Sequence, residues 1–469
     1  MQAMEYNAEL LEFIENHPTG YHVVSGQAEL LEAKGYVRLS EGQGWELVPG
    51  GKYYVIRNDS AIAAFRIPTA AFSGFMIMAS HGDSPALKVK KHPEIRVGEA
   101  YQKLNVEPYG GLVMAQWLDR PLSVAGRIMV RRKDGFETRL VNVSRDLLVI
   151  PGLAIHMNRS VNKGYEFHAQ KDLLPLYGGI DSCGLMETVA AEAGIAVEEL
   201  LDFDLFLYNR QRGGTFGAAE EFLYSPRLDD VQCAYASLKG FLESEKETDF
   251  LSSSSEADGK KYEIASEDTA FSLPVHIVFD NEEVGSSTRQ GAASTFLSDT
   301  LERISEALGE SRSAYLRHLS RSFMLSADNA HALHPNHTEK SDPVSRPVLN
   351  GGVVLKHSAN QKYTTDAMSA SVVRILAERA GITLQEFHNH SDQPGGSTLG
   401  NLSCNQVAVC TADVGIAQLS MHSSCETCGA RDTSDLVKLA RELYASAVVK
   451  EGDVWCMKST DSKTPTPAE

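Results

Sequence analysis

No stretch of the chain approaches the roughly 18 to 20 consecutive apolar residues that a helical bilayer span requires, which argues against a membrane protein. The first residues, MQAMEYNAELLEFIENHP, lack the basic and apolar segments of a secretion signal, so a cytoplasmic location is expected. Cysteine is scarce and odd in number. Seven scattered residues do not read as a disulfide framework, and they fit a reducing compartment. Cys425 and Cys428 have metal-site spacing, but no second such pair exists to complete a thiolate site, which argues against a structural zinc. Basic residues are outnumbered, 44 against 62, and the resulting charge of −18 disfavours nucleic acid while suiting cations. No internal repeat is visible.

What is present is ordinary globular composition, 42% hydrophobic and 23% charged, over 469 residues. That length calls for two domains, or for one large domain carrying an insertion. Residues Asn7 to Ala33 carry helix-like apolar spacing and predict one or two amphipathic helices. The runs YYVI and AIAAF, separated by Arg57-Asn58-Asp59-Ser60, predict paired strands. A third apolar run, Phe75 to Ser80, leads into His81-Gly82-Asp83. From about Lys88 to Glu221 the pattern is strand-rich, with strands expected at Leu112 to Trp117, Leu122 to Val130, Leu147 to Ile150 and Phe203 to Tyr208, and a helix at Gly184 to Leu201. This block is expected to be an inserted domain.

A core then resumes at Ser225, with a helix through Gly240, and continues past a polar, Ser-rich excursion at Glu243 to Glu267. Apolar runs end at Phe279 and Ala327, and further segments alternate: Val353 to Leu355 extended, Met368 to Ala380 helical, Val407 to Cys410 extended, Ser434 to Val449 helical. Such alternation predicts an α/β fold with a sheet sandwiched by helices.

The chemistry gathers where apolar runs stop. Asp280-Asn281-Glu282-Glu283-Val284-Gly285-Ser286 places two adjacent carboxylates after the run Val275 to Phe279, at the strand edge where open α/β proteins build crevices. Neighbours on an extended chain point apart, so one glutamate can serve a metal and the other a proton. A purely structural alternative has both capping a helix that begins near Ser286. Four further points share the grammar of apolar run followed by ligand: His81 with Asp83, Asp229, Asp328 and His422. Two imidazoles plus several carboxylates suit zinc, with manganese or cobalt possible. One carboxylate must bridge if two ions are to lie roughly 3.5 to 4 Å apart. Asp83 can accept the other ring N–H of His81 and so fix its tautomer.

The segments SHGDSPALKVK, SPRLDD, DNEEVGS, SADNAHALHPNH and SMHS, in that order, resemble the aspartyl aminopeptidase family of dinuclear zinc metallopeptidases, with the match running from about His17 to Ala447. The resemblance implies a three-layer α/β catalytic domain with a mixed central sheet (1–87 and 222–457), an inserted β-rich dimerisation domain (88–221) and a disordered tail (458–469). It implies that His81, Asp229 and Asp328 hold one ion and that Asp229, Glu283 and His422 hold the other. Asp229 then bridges, Glu282 is the general base and Asp83 orients His81. His331 and Lys356 match positions near an acidic substrate side chain, though Lys356 reads equally as an exposed strand-end lysine. His156, in the segment Ile150 to Arg159, matches one that reaches a neighbouring subunit's site. Peptide substrates cut at the amino end and a dodecamer built from dimers follow from the same likeness.

Several positions depart from the family pattern. Gly82 stands for the usual threonine and Asp230 for asparagine, and Cys425 and Cys428 replace other residues. A cis peptide follows the bridging aspartate in related dinuclear peptidases. Alternatives to acidic specificity are a neutral or broad aminopeptidase, a non-catalytic assembly or cargo protein on the same fold, and a dinuclear deacetylase or carboxypeptidase.

Overall fold

The computed structural model describes residues 2–245, 271–393, 395–451 and 454–459. Most of the Ser-rich excursion, and the tail from 460 on, lie outside the described residues; Lys458 and Ser459, assigned to the tail from sequence, close the strand Val454–Ser459.

Alternation within the strands builds the layers. In Phe75–His81 all seven residues are buried. Phe75, Ile77 and Ala79 join one apolar cluster, with Phe296, Leu297, Leu301 and Ile304, while Met76 and Met78 join another, with Leu10, Val24, Phe241, Leu376 and Leu443. Helices therefore cover both faces, and each large side chain so buried stabilises the sandwich by about 1.5–3 kcal/mol. The sheet has nine strands in the order 37–39, 52–57, 61–66, 273–279, 75–81, 323–327, 410–415, 353–357, 384–388. The four strands from 273–279 to 410–415 in this order run parallel, and both 61–66 and 353–357 lie antiparallel to their inner neighbours, so the sheet is mixed.

A six-stranded antiparallel sheet draws on residues 86–209 and encloses its own core of Leu87, Val124, Ile128, Leu205 and others. A smaller sheet joins Gly214–Phe216, Phe222–Ser225 and Glu426–Gly429 with Ala417–Leu419 and Ala330–His331. Gly214–Phe216, placed in the insertion from sequence, thus pairs across the expected boundary.

Local expectations failed where short apolar runs were ambiguous. Leu112 to Trp117 is a loop ending in a single 3-10 turn, because Gly110 and Gly111 end the preceding strand. Leu147 to Ile150 makes only isolated bridges. The helix expected at Gly184 to Leu201 covers Leu185–Ala193 alone, stopped by the left-handed Gly194, and Leu200 already belongs to a strand. Cys410–Gly415, rather than Val407 to Cys410, is the strand. The final helix is Asp432–Tyr444, and Ser446–Glu451 is extended, as β-branched Val448 and Val449 favour.

Candidate metal centre

Three parallel neighbours deliver their carboxyl ends to one edge. Phe279 pairs with His81, and Ser326 with Ala79, so two residues further on Asp328 comes level with His81. Asp280 to Glu283 leave the same edge from the adjoining strand. Asp229 arrives from the opposite direction, at the start of the helix Leu228–Glu243, where Asp229 and Asp230 keep non-helical dihedrals and the peptide between them is cis. His422 comes from the loop after Ala417–Leu419 with a left-handed backbone (φ 64°). No helix starts at Ser286: Glu282–Val284 is a single 3-10 turn and the next helix begins at Phe296, so the capping alternative for the two glutamates is removed.

Candidate ligand atoms of His81, Asp229, Asp230 and Asp328 lie within 4.8 Å of one another, as do those of Asp229, Glu283 and His422. Asp229 is common to both groups: its Oδ1 is 3.9 Å from His81 Nε2 and its Oδ2 is 3.2 Å from His422 Nε2. His422 Nε2 is also 3.4 Å from Glu283 Oε2, and His81 Nε2 is 3.9 Å from Asp328 Oδ1.

Both imidazoles are presented the same way. His81 Nδ1 faces the Asp83 carbonyl at 3.1 Å and its carboxylate at 3.4 Å, and His422 Nδ1 faces the Gly111 carbonyl at 3.0 Å. With each Nδ1–H donated outward, both Nε2 lone pairs point into the carboxylate cluster, the tautomer a metal requires. The carboxylates fit the same purpose. Asp229 Oδ1, Asp230 Oδ1 and Glu283 Oε1 are buried without a hydrogen-bond partner, which is costly unless a cation compensates. Burial, with Asp229 and other acids nearby, pushes Glu283 well above the usual carboxylate range despite His81. Burial, together with the Asp328, Asp83 and Asp229 carboxylates, pushes Glu282 to about 8, against the opposing influence of His81. The residues fit divalent cations.

Asp83 behaves differently. Burial would raise its pKa, but His81, the Tyr109 hydroxyl at 2.6 Å and the Glu283 N–H at 3.2 Å hold it low, and the Glu282 N–H adds a bond at 3.1 Å. It is a fixed anion beneath His81 that also pins the backbone of both glutamates. Lys356 is buried, not an exposed strand end. Its ammonium donates to the carbonyls of Asp328 (2.7 Å) and Asn329 (3.2 Å) and lies 3.6 Å from Asp328 Oδ2. His331 lines a cavity of about 490 Å³ together with Phe387, Gln418, Ser420 and Met421, next to His422. His156 is exposed, between the exposed apolar residues Ile155 and Met157, and among the described residues joins none of these clusters.

Sequence reasoning missed three groups. Asp230 stands out in the sequence only as a departure from the family pattern, yet its Oδ2 accepts from the His81 N–H at 3.3 Å and it sits inside the first candidate ligand group. Tyr109 comes from the six-stranded sheet and carries no local signal. Glu426 stands four residues after His422, where only contact in space could single it out.

Close approach explains one glycine. A methyl group on Gly415 would come within 1.9 Å of the Asp328 carbonyl oxygen. Gly415→Ala is therefore expected to displace Asp328, lowering stability by about 1–3 kcal/mol and weakening metal binding; denaturant melts and zinc titration check both.

An α/β sandwich whose parallel strand ends converge on two histidines and a shared, unneutralised set of carboxylates defines a metal-dependent hydrolase. The family model described as "Aminopeptidase I zinc metalloprotease (M18)" matches residues 13–444. The chain is 42% identical over 450 residues to a "Probable M18 family aminopeptidase 2" of Clostridium acetobutylicum, covering 94% of this chain and 99% of that one. It is 34% identical over 480 residues to an "Aspartyl aminopeptidase" of Dictyostelium discoideum, covering 93% and 95%. The solved S. cerevesiae mApe1 dodecamer superposes with a TM-score of 0.79 at 30% identity, over 93% of this chain and 95% of that one. The chain belongs to the M18 family of zinc aminopeptidases.

Proposed function

We propose that the chain removes amino-terminal Asp or Glu from peptides, using two divalent ions, zinc above manganese or cobalt, and Glu282 as general base. The observation that carries this reading is the set of buried, unpartnered oxygens on Asp229, Asp230 and Glu283 beside two histidines that turn Nε2 inward. His81, Asp229 and Asp328 would hold one ion and Asp229, Glu283 and His422 the other, so Asp229 is shared. When bound, such ions supply Lewis acidity toward a carbonyl and lower the pKa of water.

The chain's own residues do the rest. Glu282 takes the proton of the attacking water and returns it to the leaving amine. Asp83 keeps His81 in the ligating tautomer through Nδ1. A free substrate α-amine is drawn to the excess of carboxylate, which restricts cleavage to the amino end. Purified protein should contain two ions per chain, and stripping them should abolish hydrolysis.

Acidic preference rests on Lys356, close to the cavity that His331 helps to line. Burial and the nearby Lys356 push the pKa of the His331 imidazole down, so it serves as a neutral hydrogen-bonding group, and Lys356, although held by Asp328, supplies the positive potential. Release of chromogenic amide from Glu is expected to exceed release from Leu by at least about tenfold, one well-placed ion pair's worth of discrimination; equal rates would leave only a broad aminopeptidase. We further assign residues 88–221 to assembly, residues 1–87 and 222–457 to catalysis, and the chain to a dodecamer built from dimers in the cytoplasm. In that arrangement exposed His156 reaches the substrate of an adjacent subunit. The solved mApe1 relative is a dodecamer, and exposed Leu153, Ile155 and Met157 around His156 suit a buried contact.

A further inference from the structure

We infer that Glu426 is a positioning residue that ties the two halves of the metal centre together, an inference that rests on the ligand assignment proposed above. Glu426 opens the strand Glu426–Gly429, paired at Ser225 with the strand that leads to Asp229. Its side chain is buried, and among the described residues it makes no ion pair with a lysine or arginine, although the Arg227 guanidinium is close enough to act on it. Oε2 accepts the backbone N–H of Asp229 at 2.9 Å and Oε1 accepts that of His422 at 2.7 Å. One carboxylate therefore grips the backbone of the shared aspartate and of the histidine that reaches it from a separate loop. The distance from His422 Nε2 to Asp229 Oδ2, 3.2 Å, is set between two segments that this one side chain spans.

The choice of residue follows from donor and acceptor counting. Two N–H groups converge on opposite oxygens, so only a group with two acceptor heads satisfies both. A glutamine would turn an NH₂ toward one of the N–H donors, and an aspartate is one methylene too short to keep both bonds. A buried carboxylate among other carboxylates is also an electrostatic cost to the protein by itself, and bound cations offset it. That sign separates a metal-positioning role from a merely structural one. A structural glutamate stabilises the stripped protein, whereas a positioning glutamate stabilises chiefly the loaded one.

The test uses the full-length chain, stripped by chelator and titrated with zinc by calorimetry, with Tm measured before and after loading. Glu426→Gln is expected to weaken at least one of the two binding steps by about 10- to 100-fold, to leave the Tm of the stripped protein unchanged or higher, and to shrink the rise in Tm on loading. Glu426→Asp, which keeps the charge and loses the span, is expected to weaken binding likewise; full binding by this variant would show that charge alone matters and would overturn the proposal. So would unchanged affinities in Glu426→Gln, or an equal fall in Tm with and without zinc. A wild-type chain that binds fewer than two ions would instead overturn the ligand assignment.

Discussion

Replacing Glu282 by glutamine is expected to lower kcat by about 10²- to 10⁴-fold, the usual worth of a positioned general base, while the metal content stays as in the wild type. Both adjacent glutamates come within ligand reach of His81, and they are distinguished by what else they face. Glu283 lies 3.4 Å from His422 Nε2, and its other oxygen is buried without a partner, the mark of a ligand. Glu282 has its backbone N–H fixed by Asp83, and burial and neighbouring acids push its carboxyl to about 8. A base must be ionised to act, so activity rises with pH through its pKa, and bound cations shift that rise below 8. Glu282→Gln should remove this ascending limb from the kcat/KM profile. The converse variant, Glu283→Gln, should lose metal first. Metal analysis of both variants decides the assignment: a Glu282→Gln protein stripped of its ions beside a fully loaded Glu283→Gln protein would exchange the two roles.

Asp229→Asn carries the other large effect. Asp229 joins the candidate ligand group around Asp328 to the one around His422, and its two oxygens face different histidines at 3.9 and 3.2 Å. An amide offers one acceptor where two are needed, so purified variant protein should retain at most one ion. Metal-assisted polarisation contributes several kcal/mol, and about 1.4 kcal/mol corresponds to a tenfold rate, so activity should fall by at least about 10³-fold. Elemental analysis and steady-state kinetics on the same preparation test this. Two ions and near-normal turnover in the variant would remove Asp229 from the bridging position.

The candidate site was legible from sequence because its grammar is local. A buried parallel strand is a continuous apolar run, and the first charged residue after it must emerge at the sheet edge, so His81, Asp280 to Glu283 and Asp328 announce themselves. Asp229 and His422 follow shorter runs, so the same grammar marks them more weakly, and the ordered motif set reinforces them. Segments in the six-stranded sheet were read less well. There Leu112 to Trp117 and Leu147 to Ile150 are apolar because they pack around Trp117 and Leu148 in that sheet's core, not because they are strands. Apolar content without period cannot separate the two cases.

Lys356 shows the limit from the other side. At a strand end it read equally as solvent-exposed or as a substrate contact, and its burial against Asp328 came from the pairing of Val353–His357 with Cys410–Gly415. The sequence by itself determined the alternation of helix and strand, the side chains available to hold cations and the family, because each is written in neighbouring residues or in ordered motifs. Only the tertiary structure decided that Asp229 stands between both histidines, that Tyr109 and Gly111 lend support from a strand of the six-stranded sheet and the loop after it, and that Glu426 accepts from the backbone of Asp229 and of His422 at once. Those contacts join residues up to hundreds of positions apart, and the strand order that brings them together is set by packing of the whole chain.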